Sequence, residues 1–149
     1  MKIFIASDHV GFELKQVLIP FLTSLSHEII DMGPHALNRD DDYPDFVSKV
    51  AEAVSADPDN SKGIVLGMSG QGEAIVANRF KGVRAIVYYG EMPEIISLSR
   101  EHNDANVLSL GAGFLSADDA KMVVEDWLKT SFSEEERHKR RIEKIEKYG

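Results

Sequence analysis

The sequence predicts an α/β protein: a doubly wound, parallel five-stranded sheet with helices on both faces. Two observations lead there. Short apolar runs alternate with longer amphipathic stretches along the whole chain. Glycine-rich or acidic clusters follow several of those runs, where strands of such folds turn into helices. With 149 residues and no linker, internal repeat or low-complexity tract, residues 1–149 read as one domain.

Residues 3–6, Ile-Phe-Ile-Ala, read as a buried strand. Residues 11–25 carry Phe12, Leu14, Val17, Leu18, Phe21, Leu22 and Leu25 at helical spacing, with a kink or a locally irregular turn expected at Pro20. Residues 27–31 form a second strand and 32–42 a polar loop. A helix follows over 44–56, capped by Asp42 with Pro44 in its first turn. Residues 63–67 give a third strand, then a glycine-rich turn and a helix over 72–80. A strand at 84–89, a helix at 92–102 and a fifth strand at 106–110 complete the sheet. Ser116 opens another helix with Asp118 and Asp119 in its first turn. The last segment, 133–148, reads as a charged helix opened by a Ser133–Glu136 capping box. Its apolar positions are few, chiefly Ile142, Ile145 and Tyr148, so it is expected to lie outside the core, against a partner subunit or over a cleft.

Composition narrows the function. The chain has no cysteine, which excludes a disulfide framework, a thiolate metal site and a cysteine base. A formal net charge of −8 argues against nucleic acid as a partner. No stretch approaches the roughly 20 apolar residues of a membrane span, and Asp8 interrupts the first apolar run too early for a signal peptide. The expectation is a cytoplasmic protein without a membrane or nucleic-acid partner.

Ligands of such sheets bind beyond the carboxyl ends of the strands. After the first strand comes Ser7-Asp8-His9, an acid and an imidazole able to polarise hydroxyls; equally, Asp8 can cap a helix. After the third comes Gly67-Met68-Ser69-Gly70-Gln71-Gly72-Glu73. Gly70 and Gly72 let backbone approach a ligand, the amides around Gln71 suit an oxyanion, and Ser69 adds a hydroxyl. The lysine of a Walker motif and the spacing of a dinucleotide fingerprint are both absent. Glu73 is the sharpest candidate for a base. The helix N-terminus favours its carboxylate form while burial opposes it. Before the fifth strand, His102 and Asn103 can serve acid–base and hydroxyl-binding roles. Arg137, His138 and Arg141 form a basic cluster suited to phosphate, or simply a solvated helix face. The run Asp40-Asp41-Asp42 reads as solvation and a helix cap rather than a metal site.

Together these pieces resemble the ribose-5-phosphate isomerase B family, which includes galactose-6-phosphate isomerase subunits. The resemblance runs end to end. It rests on Ser7-Asp8-His9-Val10-Gly11-Phe12-Glu13-Leu14-Lys15, Asp42-Tyr43-Pro44, Gly70-Gln71-Gly72-Glu73, Ala77-Asn78-Arg79, Ser99-Arg100-Glu101-His102-Asn103 and Arg137-His138-Lys139-Arg140-Arg141. It implies a Rossmann-like three-layer sandwich, no metal, no organic cofactor, and a homodimer whose C-terminal helix extends to the partner; whether dimers pair into tetramers stays open. It further implies that Asp8, His9, Tyr43 and the 67–73 loop come from one subunit and His102, Asn103, Arg137, His138 and Arg141 from the other. The implied reaction is aldose–ketose isomerisation of a sugar phosphate, ribose 5-phosphate first and a hexose 6-phosphate as the alternative. One branch of the family uses a cysteine just after the third strand, where this chain has Gly67; another has a glutamate at the position of Glu73. Many members carry a phosphate-binding arginine where this chain has Gly113. A non-catalytic phosphosugar-binding module is the competing class. A phosphoacceptor signalling domain is disfavoured, because no aspartate follows the third strand directly.

Overall fold

The computed structural model describes residues 1–149. The elements, in order, are β1 (Lys2–Ser7), α1 (Phe12–Ser24), β2 (Glu28–Asp31), α2 (Pro44–Ala56), β3 (Ser61–Gly67), α3 (Gln71–Ala77), β4 (Ala85–Tyr88), α4 (Glu94–Asn103), β5 (Val107–Gly111), α5 (Ala117–Lys129) and α6 (Glu136–Ile145), ending in a 3₁₀ turn, Glu146–Tyr148. No helix is long and apolar enough to cross a membrane.

All strands are parallel, in the order β2-β1-β3-β5-β4. Parallel crossovers are right-handed, so the direction of each step along the sheet decides which face its helix covers. The steps from β2 to β3 and from β3 to β4 run one way and put α2 and α3 on one face. The steps from β1 to β2 and from β4 to β5 run the other way and put α1 and α4 opposite.

Period-two alternation in strands buried on both faces then sorts the core into two layers. Ile64 and Leu66 of β3 join Ile3, Ile5, Leu108 and Leu110 beneath Leu18 and Leu22 of α1, Ile96 of α4 and Trp127 of α5. Val65 points the other way, with Ala6 and Val107, against Val47, Val50 and Val54 of α2 and Ala77 of α3. All seven residues of β3 are buried, as befits the central strand.

Several local expectations are corrected. Asp42 does not cap α2 with its side chain: Tyr43 is the N-cap, and the Asp42 carbonyl accepts from the Asp45 amide at 3.2 Å. The third helix ends at Ala77 rather than residue 80. There Asn78 turns the chain into β4, its side chain donating to the Ala85 carbonyl at 3.0 Å and accepting from the Ala85 amide at 2.7 Å. The third strand begins two residues earlier than expected, at Ser61. The Ser133–Glu136 capping box does not form; the helix starts at Glu136, and Ser133 Oγ pairs with His138 Nδ1 at 2.8 Å. By contrast Ser116 caps α5, accepting from the Asp119 amide at 3.1 Å. The last helix lies outside both apolar layers, leaving Ile145 and Tyr148 exposed.

One buried ion pair fixes the long loop between β2 and α2. Lys15 is fully buried on α1 and its ammonium donates to Asp31 Oδ1 and to the Pro34 carbonyl, each at 2.7 Å. The Ser7 amide donates to the Gly33 carbonyl at 3.1 Å, so the root of the loop is tied to the end of β1. Lys15→Met should cost about 2–4 kcal/mol, since it leaves the buried Pro34 carbonyl without its donor and removes the charge partner of Asp31, whose Oδ1 keeps only the Gly33 amide. Urea unfolding of the variant checks this; an unchanged midpoint would show the pair to be dispensable.

Candidate active site

Winding reverses direction between β1 and β3, which opens a crevice at their carboxyl ends. Asp8 and His9 leave β1 there, and the 67–73 loop leaves β3 beside them. Asp8 Oδ1 accepts from the amides of Val10 at 2.9 Å and Gly11 at 3.0 Å, which shapes the turn into α1. Asp8 therefore shapes the turn without capping the helix, whose N-cap, Gly11, has no side-chain cap.

The loop after β3 is held from behind by the chain leaving β5. Ala112 and Gly113 amides donate to the Gly67 and Met68 carbonyls at 2.8 and 3.0 Å, and Ser109 Oγ donates to the Gly70 carbonyl at 2.6 Å. Gly70, the N-cap of α3, has φ +77°, a left-handed conformation that side chains resist. Ser69 Oγ accepts from the Gln71 amide at 3.3 Å. Tyr43, at the start of α2, lays its hydroxyl 2.5 Å from where a Cβ on Gly72 would stand, so only glycine admits it.

Glu73 is 4% exposed, and its carboxylate lies in the space that a side chain at position 67 would fill. A Cβ on Gly67 would collide with Glu73 Oε1. The competition over its acidity is settled by burial, which raises its pKa above the ordinary glutamate value; the Asp8 charge adds to the rise, and a hydrogen bond from its own backbone amide opposes it. A carboxyl so tuned suits a base that must hold and return a proton.

His9 is clamped by a residue that sequence reasoning set aside. Asp41 Oδ1 lies 2.7 Å from His9 Nδ1 and accepts from the His9 amide at 3.0 Å. The hydrogen bond that His9 gives to Asp41 is the largest cause of its raised pKa; desolvation and Arg39 oppose it, and Asp8 supports it. Three consecutive aspartates gave no sign that the middle one is buried. Lys15 and Gly67, both quoted in the sequence, likewise gave no sign of their roles, because each matters through what its position packs against.

The other candidates lie at the opposite end of the sheet. His102 and Asn103 end α4, which runs back to the amino ends of the strands, where Arg84 Nε donates to the Asn103 carbonyl at 2.9 Å. Seven residues of β3 separate the two ends by about 20 Å. The segment leading to α6 docks there, through the Ser133 amide on the Glu101 carbonyl at 3.2 Å. Arg137 and Arg141 are exposed, Arg137 pairing with Glu135 at 2.8 Å. His138 differs from them. It is 2% exposed, its ring centroid is 4.4 Å from that of His102, and burial and the His102 charge lower its pKa. Its ring turns inward onto His102, whereas the two guanidinium groups face outward. Within one chain, then, Glu73 and His102 do not meet.

Gly113 stands beside this crevice, with Met68 against its Cα, so that a side chain at 113 would displace Met68. No three His, Cys, Asp or Glu side chains converge as a metal site would require.

Comparisons with known proteins place the chain in a family. The model of the family described as Ribose/Galactose Isomerase matches residues 3–145. The chain is 40% identical to ribose-5-phosphate isomerase B of Mycolicibacterium paratuberculosis, covering 99% of this chain and 91% of that protein. It is 41% identical to the Escherichia coli enzyme of the same name, covering 97% and 93%. Among solved structures, that of ribose-5-phosphate isomerase B from Mycoplasma genitalium with bound ribulose-5-phosphate superposes with a TM-score of 0.94 at 38% identity, covering 99% of this chain and 95% of that one. The Clostridium thermocellum ribose-5-phosphate isomerase B gives 0.90 at 42% identity, covering 99% and 97%. Family match, end-to-end similarity and shared fold agree, and the chain belongs to the ribose/galactose isomerase family.

Proposed function

We propose that this chain is a cofactor-independent aldose–ketose isomerase that interconverts ribose 5-phosphate and ribulose 5-phosphate. The observation that carries the reading is its 0.94 TM-score match to a family enzyme solved with ribulose-5-phosphate. The raised, buried carboxyl of Glu73 at the strand-end crevice supplies the chemistry.

We assign the roles as follows. The sugar phosphate binds as a ring, and His102 as acid–base opens it while Asp8, His9, Tyr43 and Asn103 orient hydroxyls. Glu73 takes the proton from C2, beside the carbonyl, and electrons move onto O1 to give a cis-enediolate. First-turn amides of α3 around Gly70–Gly72 and the Ser69 hydroxyl hold that oxyanion. Glu73 returns its proton to C1, while the O2 hydroxyl proton is passed to O1 and the carbonyl forms at C2. Arg137 and Arg141 hold the phosphate with paired charge and fork geometry, with His138 beside them.

The assignment requires two chains. Glu73 and His102 sit at opposite ends of one sheet, so a two-fold pair that sets the carboxyl end of one sheet against the amino end of the other completes two equal sites. This explains why α6 packs outside its own core while offering Arg137 and Arg141 outward.

Three outcomes test the roles. Glu73→Gln should lower kcat for ribose 5-phosphate by about 10²–10⁴ with KM little changed; turnover at the wild-type rate would remove Glu73 as the base. Gly67→Ala should lose a comparable factor while keeping the fold, because its methyl group expels the carboxylate; steady-state assay with circular dichroism reads both. In wild type, activity requires ionised Glu73, so kcat/KM should fall as pH drops through a value above the ordinary glutamate pKa of about 4.3. An acid limb at or below that value would contradict the buried base.

A further inference from the structure

Asp41 has no assigned part in the reaction, yet its geometry is that of a supporting residue. It sits on the exposed loop after β2, between Asp40 and Asp42, but its own side chain is 4% exposed. One oxygen, Oδ1, takes both the amide and the ring Nδ1 of His9, so backbone and imidazole are held by the same atom. The other oxygen, Oδ2, is buried without a partner. A carboxylate stripped of water on one side and bonded on the other directs its charge at the one cation-forming group it touches. The loop is anchored for this purpose at its root, where Lys15 grips Asp31 and the Pro34 carbonyl. The Asp41 amide adds a bond to the Asn38 carbonyl at 3.3 Å.

We propose that Asp41 is a positioning residue: it binds His9 through Nδ1 and so commits the other ring nitrogen, Nε2, to the bound sugar phosphate as a hydrogen-bond donor. With Nδ1–H given to Asp41, the neutral ring would offer only a lone pair at Nε2, and the donor exists only in the imidazolium. The Asp41 carboxylate favours that form and extends it to higher pH. Asp8 acts in the same direction and Arg39 against it. Asp41 touches no reacting atom; its effect reaches the substrate through His9. The substrate side of this inference rests on the isomerase function proposed above.

The experiment is a histidine NMR titration of the substrate-free protein, wild type and Asp41→Asn, alongside steady-state kinetics with ribose 5-phosphate. In wild type at high pH, the His9 ring should be protonated at Nδ1. In Asp41→Asn, the His9 titration should move down by about 1–2 pH units. KM at neutral pH should rise about tenfold with kcat changed much less, and the alkaline loss of binding should set in at lower pH. Asp40→Asn removes the same charge from an exposed neighbour that does not touch His9, and should leave both readouts at wild-type values. A His9 titration unmoved in Asp41→Asn overturns the proposal even if KM rises, since the loop would then act only as packing. An unmoved KM with a shifted titration overturns the substrate step. A neutral His9 ring protonated at Nε2 in the wild-type protein overturns it without any variant. A protein that turns over no sugar phosphate but shows the shifted titration would contradict the isomerase function instead.

Discussion

Right-handed crossover is the constraint from which the chemistry follows. From β1 the chain steps one way along the sheet, and from β3 it steps the other way. Helices α1 and α3 therefore diverge onto opposite faces, and the carboxyl ends of two adjacent strands are left uncovered between them. Asp8 and His9 stand on one side of that gap and the 67–73 loop on the other. No side chain chose this place; the winding made it, and the residues exploit it.

Within the gap, absence of side chains matters as much as their presence. Gly67 leaves a hole that the Glu73 carboxylate fills, and Gly72 leaves a face on which the Tyr43 hydroxyl rests. The first of these decides the acidity of Glu73. At the start of α3 its charge would be favoured by the helix, but the hole at Gly67 keeps it out of water, and Asp8 adds like charge nearby. Desolvation outweighs the local hydrogen bond, so the carboxyl holds a proton more readily than a surface glutamate. His9 is tuned by the opposite means, an adjacent carboxylate that favours its charged form. Two neighbouring groups on one crevice thus diverge from their ordinary behaviour for different reasons.

The order of strands and helices was legible in the chain because burial on both faces imposes runs such as Gly63-Ile64-Val65-Leu66-Gly67, and amphipathic spacing marks the helices between them. Chain boundaries were less legible where a side chain acts at a distance. Asn78 ends α3 by bonding to Ala85, and Ser133 binds His138 instead of starting a helix. The same holds for the site. Glu73, His9 and the glycine loop announce themselves by residue type and by following a strand. Asp41 does not, since a run of acids looks alike whether it meets water or an imidazole. His138 misleads in the opposite sense, as a basic residue between two arginines that turns inward onto His102.

That inward turn bears on why the last helix is built as it is. A helix so rich in charge has little apolar surface with which to dock. His138 provides one buried ring, Ser133 holds its Nδ1, and the Arg84–Glu146 pair at 2.9 Å ties the far end to the root of β4. These contacts fix α6 against α4 without consuming Arg137 or Arg141 in the core. The arginines therefore project outward at the amino end of the sheet, away from the Glu73 carboxyl at the other end. In the proposed assignment, a single chain positions each half of the site but does not close the distance between them. The docking of α6 thus leaves both guanidinium groups facing outward, which is what the proposed two-chain site requires of them.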